Sequence, residues 1–280
     1  MNQLKQILIL VLLIPILACG NKQSNVIPEA DKKNVSSTET KTSPENKTAT
    51  DTQNGSLTEQ LEKAKKDGKT VFLVITGTGA TGVDKALAIV REANAKVNNS
   101  IILQLNKNDN VNNNLVSKFR IAAVPIPFIL VISPKGLAVS GGPPSQVTSD
   151  QLIKTIPSPK QDEVFFSLSE SKPVFIVVSK KGYNDKTGII SNCETAGSKI
   201  SSKPNVIEID FEDNNEKAFL SQIGVTSIKG KTITVVINSS GQITETFAEK
   251  PAVEKLTAAS NKVMQSSGCC PSTTDKSGCK

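Results

Sequence analysis

The chain carries five cysteines and no histidine. Without imidazole there is no Ser-His-Asp or Cys-His catalysis, no histidine-ligated metal and no imidazole acid–base work. Three thiols, Cys269, Cys270 and Cys279, crowd the C-terminal stretch "QSSGCCPSTTDKSGCK". Its Gly, Ser, Thr and Lys content offers no core in which a structural cysteine could be buried, so exposed thiols are expected. Three readings stay open. Thiolates suit a soft or borderline metal ion such as Cu(I), Zn(II), Hg(II) or As(III), with Asp275, solvent or a second chain as a further ligand. Alternatively the tail is a redox element. Thiols oxidise outside the cytoplasm, and Cys270–Cys279 or Cys269–Cys279 would close a small loop and leave one thiol for exchange. In the third reading such a loop caps the terminus and does no chemistry.

A second stretch has the letters of a ligand loop. "VFLVITGTGATGVDKALAIV", residues 71–90, holds an apolar run, then Gly77-x-Gly79-x-x-Gly82, then helical periodicity. This is the placement of a dinucleotide loop, whose glycines let backbone approach a pyrophosphate. Two absences argue against it. A dinucleotide fold needs an acid near the end of the second strand to hold a ribose hydroxyl. Here that strand ends "QLNKN", and the first acid, Asp109, lies in the loop beyond. A phosphate loop needs Lys-Ser/Thr after its last glycine, and this one finds Val83-Asp84. No nucleotide is expected. Nucleic acid is not expected either. The formal net charge is +7, but lysines are interleaved with acids, and aromatics make up only 4%, with Tyr183 the one tyrosine and no Trp. Strand binding needs a basic stripe with stacking rings.

The elements that position these stretches occur twice. "KTVFLVITG" near Val71 corresponds to "KPVFIVVSKKG" near Val174, and "NSIILQLNKND" to "KPNVIEIDFEDN". "LVSKFRIAAVPIPFILVISPKG" corresponds to "FLSQIGVTSIKGKTITVVINSSG", with Gly136 opposite Gly241. Ser56-x-x-Glu59 is a capping box that opens an amphipathic helix with Leu57, Leu61 and Ala64 on one face. A strand over 71–76 follows, then a helix with Val83, Ala86, Leu87, Val90 and Val97 on one face. A strand over 101–105, a short helix ending near Phe119, a hairpin turning at Ser133-Pro134-Lys135-Gly136 and a closing helix over 148–156 complete the unit. "PSPK", residues 157–160, reads as a linker. The second unit repeats the order and closes with a helix over 251–264.

This order resembles the thioredoxin fold, and "AAVPIPFILVISPKG" carries the resemblance most specifically. Thioredoxins place a cis-proline immediately before the strand that enters the hairpin, and Pro127 holds that position. The second unit has Lys231-Thr232 there, and so no proline. The resemblance implies an α/β chain of two tandem thioredoxin-like domains, each a mixed central sheet flanked by helices, over 56–156 and 161–264. It also implies a Cys-x-x-Cys at the start of the helix after the central strand, where helix-end N–H groups activate a thiol. That site falls on Ala80-Thr81-Gly82-Val83 and on Tyr183-Asn184-Asp185-Lys186, with no cysteine in either. Dithiol exchange at those sites is chemically impossible. The groove beside Ala80, Thr81, Gly82 and Val83, with Ile126 before Pro127, is where members of the family hold an extended peptide, and the competing reading is that both units serve only as scaffolds. Cys193 lies at core spacings with Ile189, Ile190, Ala196, Gly197 and Ile200, and reads as buried and inert.

The N-terminus "MNQLKQILILVLLIPILACG" resembles a bacterial lipoprotein signal over 1–18, with a short apolar run ending in Ala18-Cys19. The resemblance implies a diacylglycerol on Cys19 and a lipid anchor in the cell envelope, where two or more acyl chains make anchoring stable. Gly20 lacks the aspartate of an inner-membrane retention signal, which leans toward the outer membrane if two membranes are present. Residues 19–55, rich in Ser, Thr, Lys and Asn, read as a disordered tether, and 265–280 as a flexible cysteine-rich tail. The expected partners are the membrane and a protein or extended peptide. The expected cofactor is none beyond a thiolate-bound soft metal ion.

Overall fold

Side chains alternate across a strand. In the strand β1 (Thr70–Thr76), Val71, Leu73 and Ile75 enter one layer while Phe72 and Val74 enter the other, and all are buried. A strand buried on both faces needs helices on both sides of its sheet. The computed structural model, which describes residues 55–264, supplies them. β1 pairs in parallel with β2 (Ser100–Asn106) and antiparallel with β3 (Phe128–Ile132), which pairs antiparallel with β4 (Ala138–Gly142). The sheet order is β2-β1-β3-β4. Helices α1 (Leu57–Lys66) and α3 (Asn113–Lys118) cover one face through Leu61, Ala64 and Leu115. Helices α2 (Val83–Lys96) and α4 (Ser149–Lys154) cover the other through Ala86, Val90, Ala93 and Leu152. Complete burial of one such apolar side chain is worth about 1.5–3 kcal/mol, so the paired layers carry most of the unit's stability.

The second unit repeats the plan. After α5 (Pro159–Ser169) come β5 (Val174–Ser179), α6 (Lys186–Ser198), β6 (Asn205–Asp210) and α7 (Lys217–Gln222). β7 (Ile233–Ile237), β8 (Ile243–Phe247) and α8 (Val253–Asn261) follow, in the sheet order β6-β5-β7-β8. Register is kept as well as order, since Ile75 pairs with Phe128 in the first sheet and Val178 with Ile233 in the second. The chain therefore holds two tandem units of thioredoxin-like topology. Cys193 is wholly buried against Phe175, Val177 and Ile189. Burial first, and then Glu194, push its thiol up to about 12. It is the inert core cysteine expected of its spacing.

Two boundaries differ from the sequence reading. Residues 157–160 are not all linker, because α5 begins at Pro159 rather than after residue 160. Ser158 is its N-cap, Gln161 completes a capping box and the proline takes the first helical position, where its missing N–H costs nothing. The last helix ends at Asn261 rather than Met264. The Asn238 amide donates to the Lys262 carbonyl at 2.8 Å, and the Gln242 amide donates to the Met264 carbonyl at 2.8 Å. These bonds draw the chain off the helix and onto the β7–β8 turn.

The two hairpin turns finish differently. Asn238 Oδ1 accepts from the N–H groups of Ser240, at 3.0 Å, and Gln242, at 2.9 Å, so the second turn is closed by its own side chain. In the first turn Ser133 replaces that asparagine, and the Lys135 N–H donates to Asp162 Oδ2 at 2.9 Å, on α5 of the other unit. Asp162 is 2% exposed, and its Oδ1 has no hydrogen-bond partner. Burial pushes its carboxyl up, against the pull of the Ser133 hydroxyl and the Lys135 N–H and cation.

The signal over 1–18, Cys19, the tether as far as residue 54, and the tail with Cys269, Cys270 and Cys279 lie outside the described residues.

Candidate functional site

In each unit the C-terminal end of the central strand, the loop after the second strand and the segment before the third strand come together. In the first unit these are the Gly77-to-Gly82 loop, Lys107-Asn108 and the run to Pro127. Asn108 Oδ1 accepts from the Thr78 N–H at 2.9 Å. A Cβ at Gly77 would stand 2.3 Å from that oxygen and 3.0 Å from Ile126 Cδ1. Gly77 is therefore glycine because two neighbours occupy the space of a side chain. Gly82 precedes α2 at φ +81, a left-handed position that L side chains rarely adopt. These are local steric reasons for a G-x-G-x-x-G, and no phosphate is needed to explain it.

Lys107 holds the opposite flank. Its ammonium donates to the carbonyls of Ala122 at 3.1 Å and Val124 at 2.7 Å. The Ile126–Pro127 peptide is cis, with Pro127 buried and Ile126 half-buried. Among the described residues, neither the N–H nor the carbonyl of Ile126 is hydrogen-bonded to backbone. The two segments named from the sequence meet through Gly77 and Ile126. Ala80 and Val83 are half-buried, and Thr81 and Gly82 are exposed. Sequence reasoning missed Lys107 and Asn108. Their signal was present in "QLNKN", read only for the acid it lacks.

The second unit uses the same positions otherwise. By strand register Lys180 stands where Gly77 is, Tyr183 where Ala80 is, Phe211 and Glu212 where Lys107 and Asn108 are, and Thr232 where Pro127 is. Asp185, the N-cap of α6, accepts from the Thr232 hydroxyl at 2.6 Å and the Thr232 N–H at 3.1 Å. Partial burial works to raise the Asp185 pKa, but the Thr232 hydroxyl and the N–H groups of Thr232, Asp185 and Lys186 together hold it below its ordinary value. The Lys231 N–H donates to the Ile228 carbonyl at 2.7 Å. The N–H groups that would pair with a peptide are thus engaged from within. Beside it opens a cleft of about 590 Å³, lined by Lys180, Tyr183, Phe211, Glu212, Lys217 and the 226–230 segment.

Neither loop end holds a thiol. Among the described residues no group of three His, Cys, Asp or Glu side chains is placed to hold a metal ion.

No protein-family model matches the chain, and no curated protein matches it. Solved structures do. The first two thioredoxin domains of Naumovozyma dairenensis Eps1p are 8% identical, over 72% of this chain and 95% of that one, with a TM-score of 0.28. The zinc-bound form of human ERp44 is 9% identical, over 73% of this chain and 58% of that one, with a TM-score of 0.33. The NTD_N/C domain of alkylhydroperoxide reductase AhpF from Enterococcus faecalis is 10% identical, over 72% and 96%, with a TM-score of 0.24. At these scores the likeness adds nothing to the strand order and register, which define the topology.

Proposed function

We propose that the chain is a lipid-anchored binding module of the cell envelope, redox-inactive in both thioredoxin-like units. Its first unit holds an extended peptide, and its C-terminal thiols capture a soft metal ion. The observation that carries the peptide site is the main chain of Ile126. Its N–H and carbonyl lack backbone partners among the described residues, next to loops fixed by Lys107 and Asn108. Open main-chain groups beside a strand pair with an added strand. Cysteine-free positions, Ala80 and Val83 in one unit and Tyr183 and Lys186 in the other, leave binding rather than exchange as the role of these loop ends.

The test is amide hydrogen exchange of the full chain with and without a short peptide of alternating Val and Thr. Slowed exchange at Ile126 is expected, and unchanged exchange there overturns the peptide site. Thiol-dependent disulfide reduction that disappears when Cys269, Cys270 and Cys279 are changed to Ser would overturn the non-enzymatic reading and assign exchange to the tail. Three alkylatable tail thiols with no bound metal, after anaerobic reconstitution with Zn(II) or Cu(I), would overturn metal capture.

A further inference from the structure

We propose that the cleft of the second unit binds an acidic peptide segment, with carboxylates on Lys217 and Lys229 and an apolar side chain over Tyr183 and Phe211. This is a different site from the Ile126 groove and works by different chemistry. The Thr232 and Lys231 N–H groups are already bonded inside the protein, so the donor half of strand pairing is not offered here. Side chains must do the recognising.

Their charges are unbalanced. Lys180 is paired with Glu212 at 2.9 Å. Lys217 and Lys229 are exposed and have no carboxylate within ion-pair distance among the described residues. Two acids outside the lining keep their charge nearby and are hydrogen-bonded within their own loop. Asp210 accepts from the Glu212 N–H at 2.9 Å, and Asp213 accepts from the Asn215 N–H at 2.9 Å. The lining itself holds three cations, Lys180, Lys217 and Lys229, against one carboxylate, Glu212, a surplus that raises the local concentration of anions.

Its apolar part narrows the anion to one class. Tyr183 and Phe211 are half-buried, and Ile228 is 5% exposed. A volume of about 590 Å³ lies within the range of ligand clefts. A concave site with rings and an aliphatic residue beneath two cations suits a chain that alternates carboxylates with apolar side chains. The flat, charged surface of a bilayer would leave the recess unfilled. In the first unit Lys107 and Asn108 tie down the neighbouring loops from the positions of Phe211 and Glu212.

The protein carries its own probe, since Tyr183 is the one tyrosine and there is no Trp. Tyrosine emission of the full chain reports on this cleft alone. It is titrated with a short peptide of alternating Glu and Leu, with its Lys and Leu counterpart, and with vesicles of phosphatidylglycerol. Saturable change with the acidic peptide only is expected, weakened by added salt. Replacing both lysines, Lys217→Gln with Lys229→Gln, removes two exposed charge contacts and should weaken binding about tenfold. Lys217→Glu with Lys229→Glu should transfer the response to the Lys and Leu peptide. Both lysines are exposed, so these variants keep the fold, and circular dichroism checks it. Equal response to the two peptides, or unchanged affinity in the Gln variant, overturns the proposal. A response to vesicles without one to the acidic peptide also overturns it and assigns the lysines to a membrane surface. None of these results depends on exchange at Ile126, so the two sites fail separately.

Discussion

Lys107 and Asn108 in the first unit, and Phe211 and Glu212 in the second, occupy the same two positions after the second strand. The first pair turns inward, one residue to each flanking loop, and the loops close on it. The second pair lines an open cleft, with Glu212 reaching across to Lys180. The frame beneath is unchanged, with the same strand order and the same register. The fold therefore fixes where a site can be, while the side chains on a few loop positions fix whether it is filled, open or charged.

The largest expected difference comes from the position where Gly77 faces Lys180. Gly77→Ala places a Cβ on Asn108 Oδ1 and breaks its bond to Thr78, at a cost of about 1–3 kcal/mol of stability. Lys180→Ala should cost far less, because only an exposed ion pair is lost. Urea denaturation of both variants measures the contrast. Gly77→Ala combined with Asn108→Ala should cost less than the sum of the two, since the clash is gone. Strict additivity would show that Asn108 is not what excludes a side chain at Gly77.

A smaller effect, of opposite sign in two aspartates, appears with pH. The folded pKa of Asp185 lies below the ordinary 3.8. Its contribution is complete above that value and is lost as pH falls through the folded pKa. The folded pKa of Asp162 lies above 3.8. The folded state takes up that proton before the unfolded state does, so this group adds stability as pH falls toward 3.8 and the gain is lost as pH rises through the folded pKa. Asp185→Asn should lower stability at pH 7 by about 1 kcal/mol and flatten the acid-side loss. Asp162→Asn keeps an acceptor for Lys135 and removes a buried charge, so at pH 7 it should be at least as stable as the parent. Melting temperatures between pH 3 and pH 7 separate them, and parallel pH profiles for the two variants would contradict the assignment.

The smallest effect belongs to Lys96, which pairs with Glu92 at 2.8 Å and Asp150 at 2.9 Å on the open surface of the first unit. Lys96→Ala should leave the melting temperature within error of the parent, because exposed pairs gain little over solvent. A clear fall would mean that this network joins α2 to α4 more firmly than its exposure implies.

What the sequence made legible followed local pattern. Continuous apolar runs marked both central strands, Ser56 and Glu59 marked the first helix, and Pro127 stood where a cis bond is found. The absence of cysteine at Ala80 and Val83 needed no structure. The clamps were not legible, because Asn108 to Thr78 and Asp185 to Thr232 join residues far apart in the chain, and their letters say nothing of distance. Pro159 was misread for another reason. The same residue ends one helix pattern and opens another, and Ser158 with Gln161 settled which.

One asymmetry governs how such units can be strung together. The first unit leaves the N–H of Lys135 for the helix of its neighbour to cap, through Asp162. The second has already satisfied the equivalent group, Ser240, with Asn238, and its turn is covered by the chain leaving toward Met264. The joint between the two is directional. It has a donor side and an acceptor side, and among the described residues the N–H of Ser240, equivalent to that of Lys135, is already bonded to Asn238.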